Sequence, residues 1–153
     1  MQLTKFSDYA LRILIHLAAT EDGVLSARDI AQRQGLSTHH LAKIGQWLAA
    51  EGYVTATRGR GGGMRLAQAT NEISLGALLR RSEVGAPLVE CHGADSKCVF
   101  SNTCGLSGIL GGAQEAFFAH LDGVTLSDVM ARNVGLAQLA RFTADEPGDG
   151  LRQ

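Results

Sequence analysis

Near the start of the chain, apolar residues recur at Phe6, Ala10, Leu11, Ile13, Leu14, Leu17 and Ala18. That spacing of three and four paints one wide stripe on a helix from Thr4 to about Ala19. The pattern then restarts behind a start signal, because Ser26 is followed by Asp29 and then by Ile30 and Ala31, which predicts a short second helix ending at Gln34-Gly35. Ser37 is the next N-cap, and Leu41, Ile44, Trp47 and Leu48 form the inward face of a longer helix that closes near Glu51-Gly52. The result is helix, tight glycine turn, helix.

After it the period changes. Tyr53 to Ala56 and Met64 to Leu66 read as two short strands joined by T-R-G-R-G-G-G, a β-hairpin with a basic tip. A short helix is predicted from Ser74 to about Ser82. A polar, glycine-containing loop follows, and then a long helix on which Leu106, Ile109, Leu110, Ala113, Phe117 and Leu121 fall on one stripe. Gly108, Gly111 and Gly112 on this helix allow another helix to approach closely, so the stripe is expected to be a dimer interface. A last helix runs from Leu126 to about Asn133 or beyond behind a Thr125 cap. The tail from Asp145, with Pro147, Gly148 and Gly150, is expected to be disordered.

The expected fold is mainly α: a winged helix-turn-helix DNA-binding domain with a small β-hairpin wing, plus a long dimerisation helix. Its parts are residues 1–83 (DNA-binding domain), 84–105 (cysteine loop), 106–144 (dimerisation helix and C-terminal helix) and 145–153 (tail). A chain of 153 residues suits one compact domain with such an appended element.

Charge sharpens the picture. The formal net charge of −1 argues against a nucleic-acid partner until its placement is seen. Residues 1–70 carry eight Lys/Arg and five Asp/Glu, whereas residues 71–153 carry six and ten, so the basic half is the candidate for phosphate contact. In a helix-turn-helix the second helix offers its N-terminal residues to base edges. Here that set is Ser37, Thr38, His39, His40, Lys43 and Gln46. The hairpin adds Arg58, Arg60 and Arg65, with glycines that let backbone N–H groups approach a phosphate or a narrow minor groove. Apolar runs such as Ile13-Leu14-Ile15 are cut by Arg12 and His16, far short of a membrane span, and the expectation is a soluble cytoplasmic protein.

The three cysteines of the chain, Cys91, Cys98 and Cys104, all sit in the loop with the spacing C-x6-C-x5-C. Core packing explains them poorly, since polar residues lie between them. An odd count in a reducing compartment argues against structural disulfides. Soft thiolates so placed suit a metal or an iron-sulfur core. Structural zinc usually takes a shorter C-x2-4-C clamp, yet zinc, and a redox switch using two of the thiols, both survive. No Ser/His/Asp set, H-E-x-x-H motif or paired carboxylates point to an enzyme.

Taken together, M-Q-L-T-K-F-S-D-Y-A-L-R, L-S-T-H-H-L-A-K, G-Y-V-T-A-T-R-G-R-G-G-G-M-R-L, the cysteine loop and T-L-S-D-V resemble the Rrf-type winged-helix iron-sulfur regulators over residues 1 to about 133. Within that family the chain is most similar to the nitric-oxide-sensitive repressors. The resemblance implies a homodimer with crossing long helices, double-stranded operator DNA as partner, and one iron-sulfur cluster per subunit held by the three cysteines. It favours a 4Fe-4S over a 2Fe-2S cluster, with nitric oxide as the signal that releases DNA. The iron-sulfur-biogenesis branch carries a His three residues after the third Cys, where this chain has Ser107; the iron-responsive branch stays close. For the fourth ligand the resemblance points to Asp8 of the partner subunit, against a plain reading of Asp8 as a helix-start carboxylate paired with Arg12. His92, Glu90, Ser107, water or a cellular thiol also remain open.

Overall fold

The computed structural model describes residues 2–20, 23–57, 59, 62–100 and 103–132. Helix α1, Lys5–Ala19, is capped by Thr4, whose side chain accepts from the Ser7 amide. It runs through the middle of the core, burying Ala10, Ile13, Leu14 and Leu17. Helix α2, Ala27–Gln34, opens with the expected Ser26/Asp29 capping box. It ends at Gly35, whose φ of 63° is the left-handed turn that a residue with a Cβ resists. Helix α3, Thr38–Ala50, buries Leu41, Ile44 and Leu48 against α1 and α2. Ser37 holds the N-cap position, but its side chain makes no capping hydrogen bond, so that expectation is met in place and not in chemistry.

The wing is an antiparallel pair, β1 (Val54–Thr57) and β2 (Gly63–Leu66), in the register Val54↔Leu66 to Thr57↔Gly63. Both strands differ from expectation by about a residue. Tyr53 is buried and its amide bonds Leu48 O at 2.9 Å, so it closes α3 and does not begin the strand. Gly63 joins β2, where Leu25 adds a third rung: the Met64 amide bonds Leu25 O at 2.8 Å and the Leu25 amide bonds Met64 O at 3.1 Å. A Cβ on Gly63 would stand 2.8 Å from that Leu25 carbonyl.

Helix α4, Leu75–Ser82, leads into the cysteine loop, which contains the 3-10 turn Glu90–His92. Helix α5, Gly105–Asp122, and α6, Leu126–Arg132, follow. The long stripe of α5 divides. Its C-terminal third packs on the chain's own core through Phe118, with Phe117 and Leu121 half-buried beside it. Leu106 and Ile109, 58% and 70% exposed, lie open. The expectation of one continuous dimer stripe is corrected here: the last turns belong to the chain's own fold. Of the glycines, Gly108 and Gly112 face open space, whereas Gly111 faces the His92 ring. The extension of α6 past Arg132 and the tail from Asp145 lie outside the described residues.

Helix α5 is fastened to the domain at this C-terminal end. Ser74 Oγ donates to Asp122 O at 3.0 Å, and the Leu75 amide donates to Val124 O at 2.9 Å. Gly76 lets α4 lie against the Asp122 backbone, where a Cβ would stand 2.6 Å from Asp122 Cα. Arg80 forks between Asp122 (3.0 Å) and Glu115 (2.7 Å), with its guanidinium 5.3 Å from the Phe118 ring. These bonds hold the Glu115 carboxyl below its usual range and push Arg80 further up.

Candidate DNA interface and thiol centre

Amphipathic patterning decides what α3 shows to solvent. With Leu41, Ile44 and Leu48 turned inward, Thr38, His39, His40, Lys43 and Gln46 are all exposed, as is Ser37 in front of them. Arg65 on β2 is exposed as well, while Arg58 and Arg60 lie outside the described residues. The wing is set against α3 at Gly45, where an added Cβ would collide with the Met64 sulfur. The open face of α3 therefore carries hydroxyl, imidazole, ammonium and amide groups, a set able to address both base edges and phosphates, and Arg65 adds an exposed guanidinium on the wing.

Polar residues on α1 tie this reader to the rest of the chain. The Arg12 guanidinium bonds both oxygens of Asp8, at 3.0 and 2.8 Å, and reaches Gln34 Oε1 at 3.3 Å. Gln34, the last residue of α2, contacts the buried His16 ring at 2.6 Å. In the single chain, Asp8 is thus the i,i+4 partner of Arg12. At the start of α1, Ser7, fully buried, meets Ser82 Oγ at 2.7 Å, and Glu83 accepts from the Thr4 amide and hydroxyl, both at 2.9 Å. The root of the cysteine loop is thereby stapled to the helix that supports the reader.

His16 gives a pH prediction. Burial, then Arg33 and Arg12, lower its pKa below the ordinary 6.5. Between the lowered value and 6.5 the unfolded chain binds the extra proton, so stability is full above that window and falls as pH drops through it. The thermal midpoint should decline as pH falls below about 6.5, and His16→Gln should flatten that decline. An unchanged slope in the variant would remove His16 as its source.

The cysteines come from three local structures. Cys91 sits in the 3-10 turn, Cys98 in the loop, and Cys104 at the N-cap of α5. All three are half-buried and none is in a disulfide. Among the described residues no three Cys, His, Asp or Glu side chains stand close enough together within one chain to hold an ion. The donor chemistry fits a soft centre, three thiols on one loop; the loop must draw them together to form it. Of the other candidates, Glu90 accepts from the Lys97 amide at 3.2 Å and His92 bonds Ser107 O at 3.0 Å. His120 is exposed.

The Ser7–Ser82 pair, the Glu83 staple and the Arg80 fork were not anticipated from sequence. Each joins residues tens of positions apart, and the one local signal was a hydroxyl on the otherwise apolar side of α1.

Helix-turn-helix, hairpin wing and a trailing long helix define the class of winged-helix transcription regulators. The fold matches CymR of B. subtilis, a global cysteine regulator, with a TM-score of 0.61 and 26% identity over 86% of this chain and 97% of that one. It also matches T. potens IscR with a TM-score of 0.66, at 23% identity over 86% and 87% of the two chains. A model of the Rrf2 family, described as iron-dependent transcriptional regulators, matches residues 3–132, and the chain belongs to that family. Among its relatives are the regulator NsrR of Geobacillus kaustophilus, 41% identical over 92% of this chain and 97% of that one, and the repressor NsrR of Streptomyces coelicolor, 42% identical over 88% and 92%. Among the described residues no helix is long and apolar enough to cross a membrane.

Proposed function

We propose that the protein is a nitric-oxide-responsive transcriptional repressor that binds operator DNA as a homodimer while carrying an iron-sulfur cluster, and releases it when nitric oxide reacts there. The observation that supports this most is likeness over nearly the whole chain to relatives named NsrR, joined to a C-x6-C-x5-C loop with no His at position 107.

In this reading Cys91, Cys98 and Cys104 hold a 4Fe-4S cluster, with Asp8 of the partner subunit as the fourth ligand. Such a cluster would supply a redox-active centre able to react with nitric oxide, the carboxylate of Asp8 of the partner subunit being a harder donor than the three thiolates. The chain's own residues do the rest. Ser37, Thr38, His39, His40, Lys43 and Gln46 face the major groove, while Arg58, Arg60 and Arg65 reach phosphates or the minor groove. The open stripe of Leu106, Ile109 and Ala113 receives a second copy, which sets two copies of α3 at a helical repeat of about 34 Å. Before Asp8 can reach a partner's loop it must leave Arg12, which then keeps Gln34, at the helix-turn-helix, and the Tyr9 ring as neighbours.

The test is the absorption spectrum of anaerobically purified protein, with iron and sulfide counted per chain, followed by nitric oxide titration of its operator complex. About four iron and four sulfide, with release on titration, is the expected result. About two of each would turn the reading towards an iron or iron-sulfur-status regulator. A colourless protein that cannot be reconstituted would leave a zinc or thiol-redox regulator. For the wing, Arg60→Ala and Arg65→Ala should each lower operator affinity and reduce the salt slope by about one. Unchanged binding would take the hairpin out of the interface.

A further inference from the structure

The two residues that flank Cys91 each hold a segment that bears another cysteine. On one side Glu90 Oε1 accepts from the Lys97 amide at 3.2 Å, one residue before Cys98. On the other side His92 Nε2 lies 3.0 Å from the Ser107 carbonyl, in the first turn of α5, which Cys104 caps. A carbonyl can only accept, so this nitrogen carries the proton and donates. Gly111 lies beside the ring, where a Cβ would stand in ordinary contact, 3.8 Å from His92 Cε1. The 3-10 turn itself is closed by the His92 amide on Val89 O and the Gly93 amide on Glu90 O, both at 3.0 Å.

We infer that Glu90 and His92 are positioning residues of the thiol centre, and not ligands: they tie the Cys98 and Cys104 segments to the Cys91 turn before any metal binds. The inference rests on the reading of the three thiols as one centre. A ligand must leave its polar partners to reach a metal, whereas both of these side chains are already spent on backbone groups of the other two segments. Their bonds replace contacts that the loop, with its many small residues, cannot supply by packing. Preorganisation of this kind lowers the ordering cost that three separate thiols otherwise incur.

The test uses the full-length, metal-free chain. Reduced protein is treated with iodoacetamide under limiting conditions, and the alkylation rate of each cysteine is read by peptide mass spectrometry. His92→Ala should raise the rates at Cys91 and Cys104, and Glu90→Ala the rate at Cys98, each by about fivefold, as expected for losing one hydrogen bond. His92→Gln still offers an N–H, and Glu90→Gln still offers an acceptor, so both should return the rates to near native. Unchanged rates in both alanine variants, or equal effects of alanine and glutamine, would overturn the proposal. Circular dichroism of the variants keeps the result clear of global unfolding. Iron and sulfide counts on the native chain then separate the two ideas: a protein that never takes up a cluster fails the functional reading, while native-versus-variant alkylation judges the positioning role on its own.

Discussion

Serine in place of Cys98 should cost the protein its visible absorption and, with it, about a hundredfold of operator affinity at fixed salt, the upper range of coupling between two sites. A serine oxygen is a poor substitute for thiolate towards iron. Cys98 lies in the loop, outside the hydrophobic core, so the thermal midpoint of the metal-free chain should stay where it was. Fluorescence anisotropy with labelled operator reads the affinity and the spectrum reads the centre. Loss of colour with full DNA affinity would separate the thiols from control of the reader. Retained colour would show that Cys98 is not needed as a ligand.

Gly76→Ala should be the most damaging single-carbon change in the described fold. Alanine ordinarily stabilises a helix over glycine, by roughly 1 kcal/mol. At Gly76 the new Cβ would stand 2.6 Å from Asp122 Cα and closer still to its amide nitrogen, and backbone cannot step aside as a flexible side chain can. The sign therefore reverses. The loss should be about 2–3 kcal/mol, a fall of roughly 8 °C in thermal midpoint for a chain of this size. Separating α4 from α5 also displaces Asp122 from Arg80, so the variant should show weaker dependence of DNA binding on the thiol centre. A midpoint that holds or rises would mean that the two helices are not in close contact in solution.

Helices and caps were readable in the chain because their signals are local. The Ser26/Asp29 box and the glycine stop at Gly35 each act within four residues, and the apolar period needs no knowledge of what it packs against. The exposed face of α3 followed directly from its buried one. What stayed hidden depends on distant neighbours. Nothing in the pattern of α5 says that Phe118 is buried while Ile109 is open; that follows from where α4 crosses. Gly111 read as a place for a second helix and turned out to face the chain's own His92 ring. At the thiol centre the sequence offered Glu90 and His92 as spare ligands, and only the fold gives their partners, the Lys97 amide and the Ser107 carbonyl.

The fastening of α5 at one end gives the molecule a mechanical character. Arg80, Gly76 and Ser74 grip it between Glu115 and Asp122, while Cys104 sits at the other tip, roughly 16 Å beyond Glu115 at 1.5 Å per residue. Such a rod is a lever with its fulcrum near the DNA-binding domain. A displacement of about 2 Å at the tip is a tilt of roughly 7°, and on the short side of the fulcrum it becomes a smaller motion delivered with greater force. On the proposed function, a modest shift of the thiols would therefore reach α4 as a small movement, applied to a helix that also touches α1.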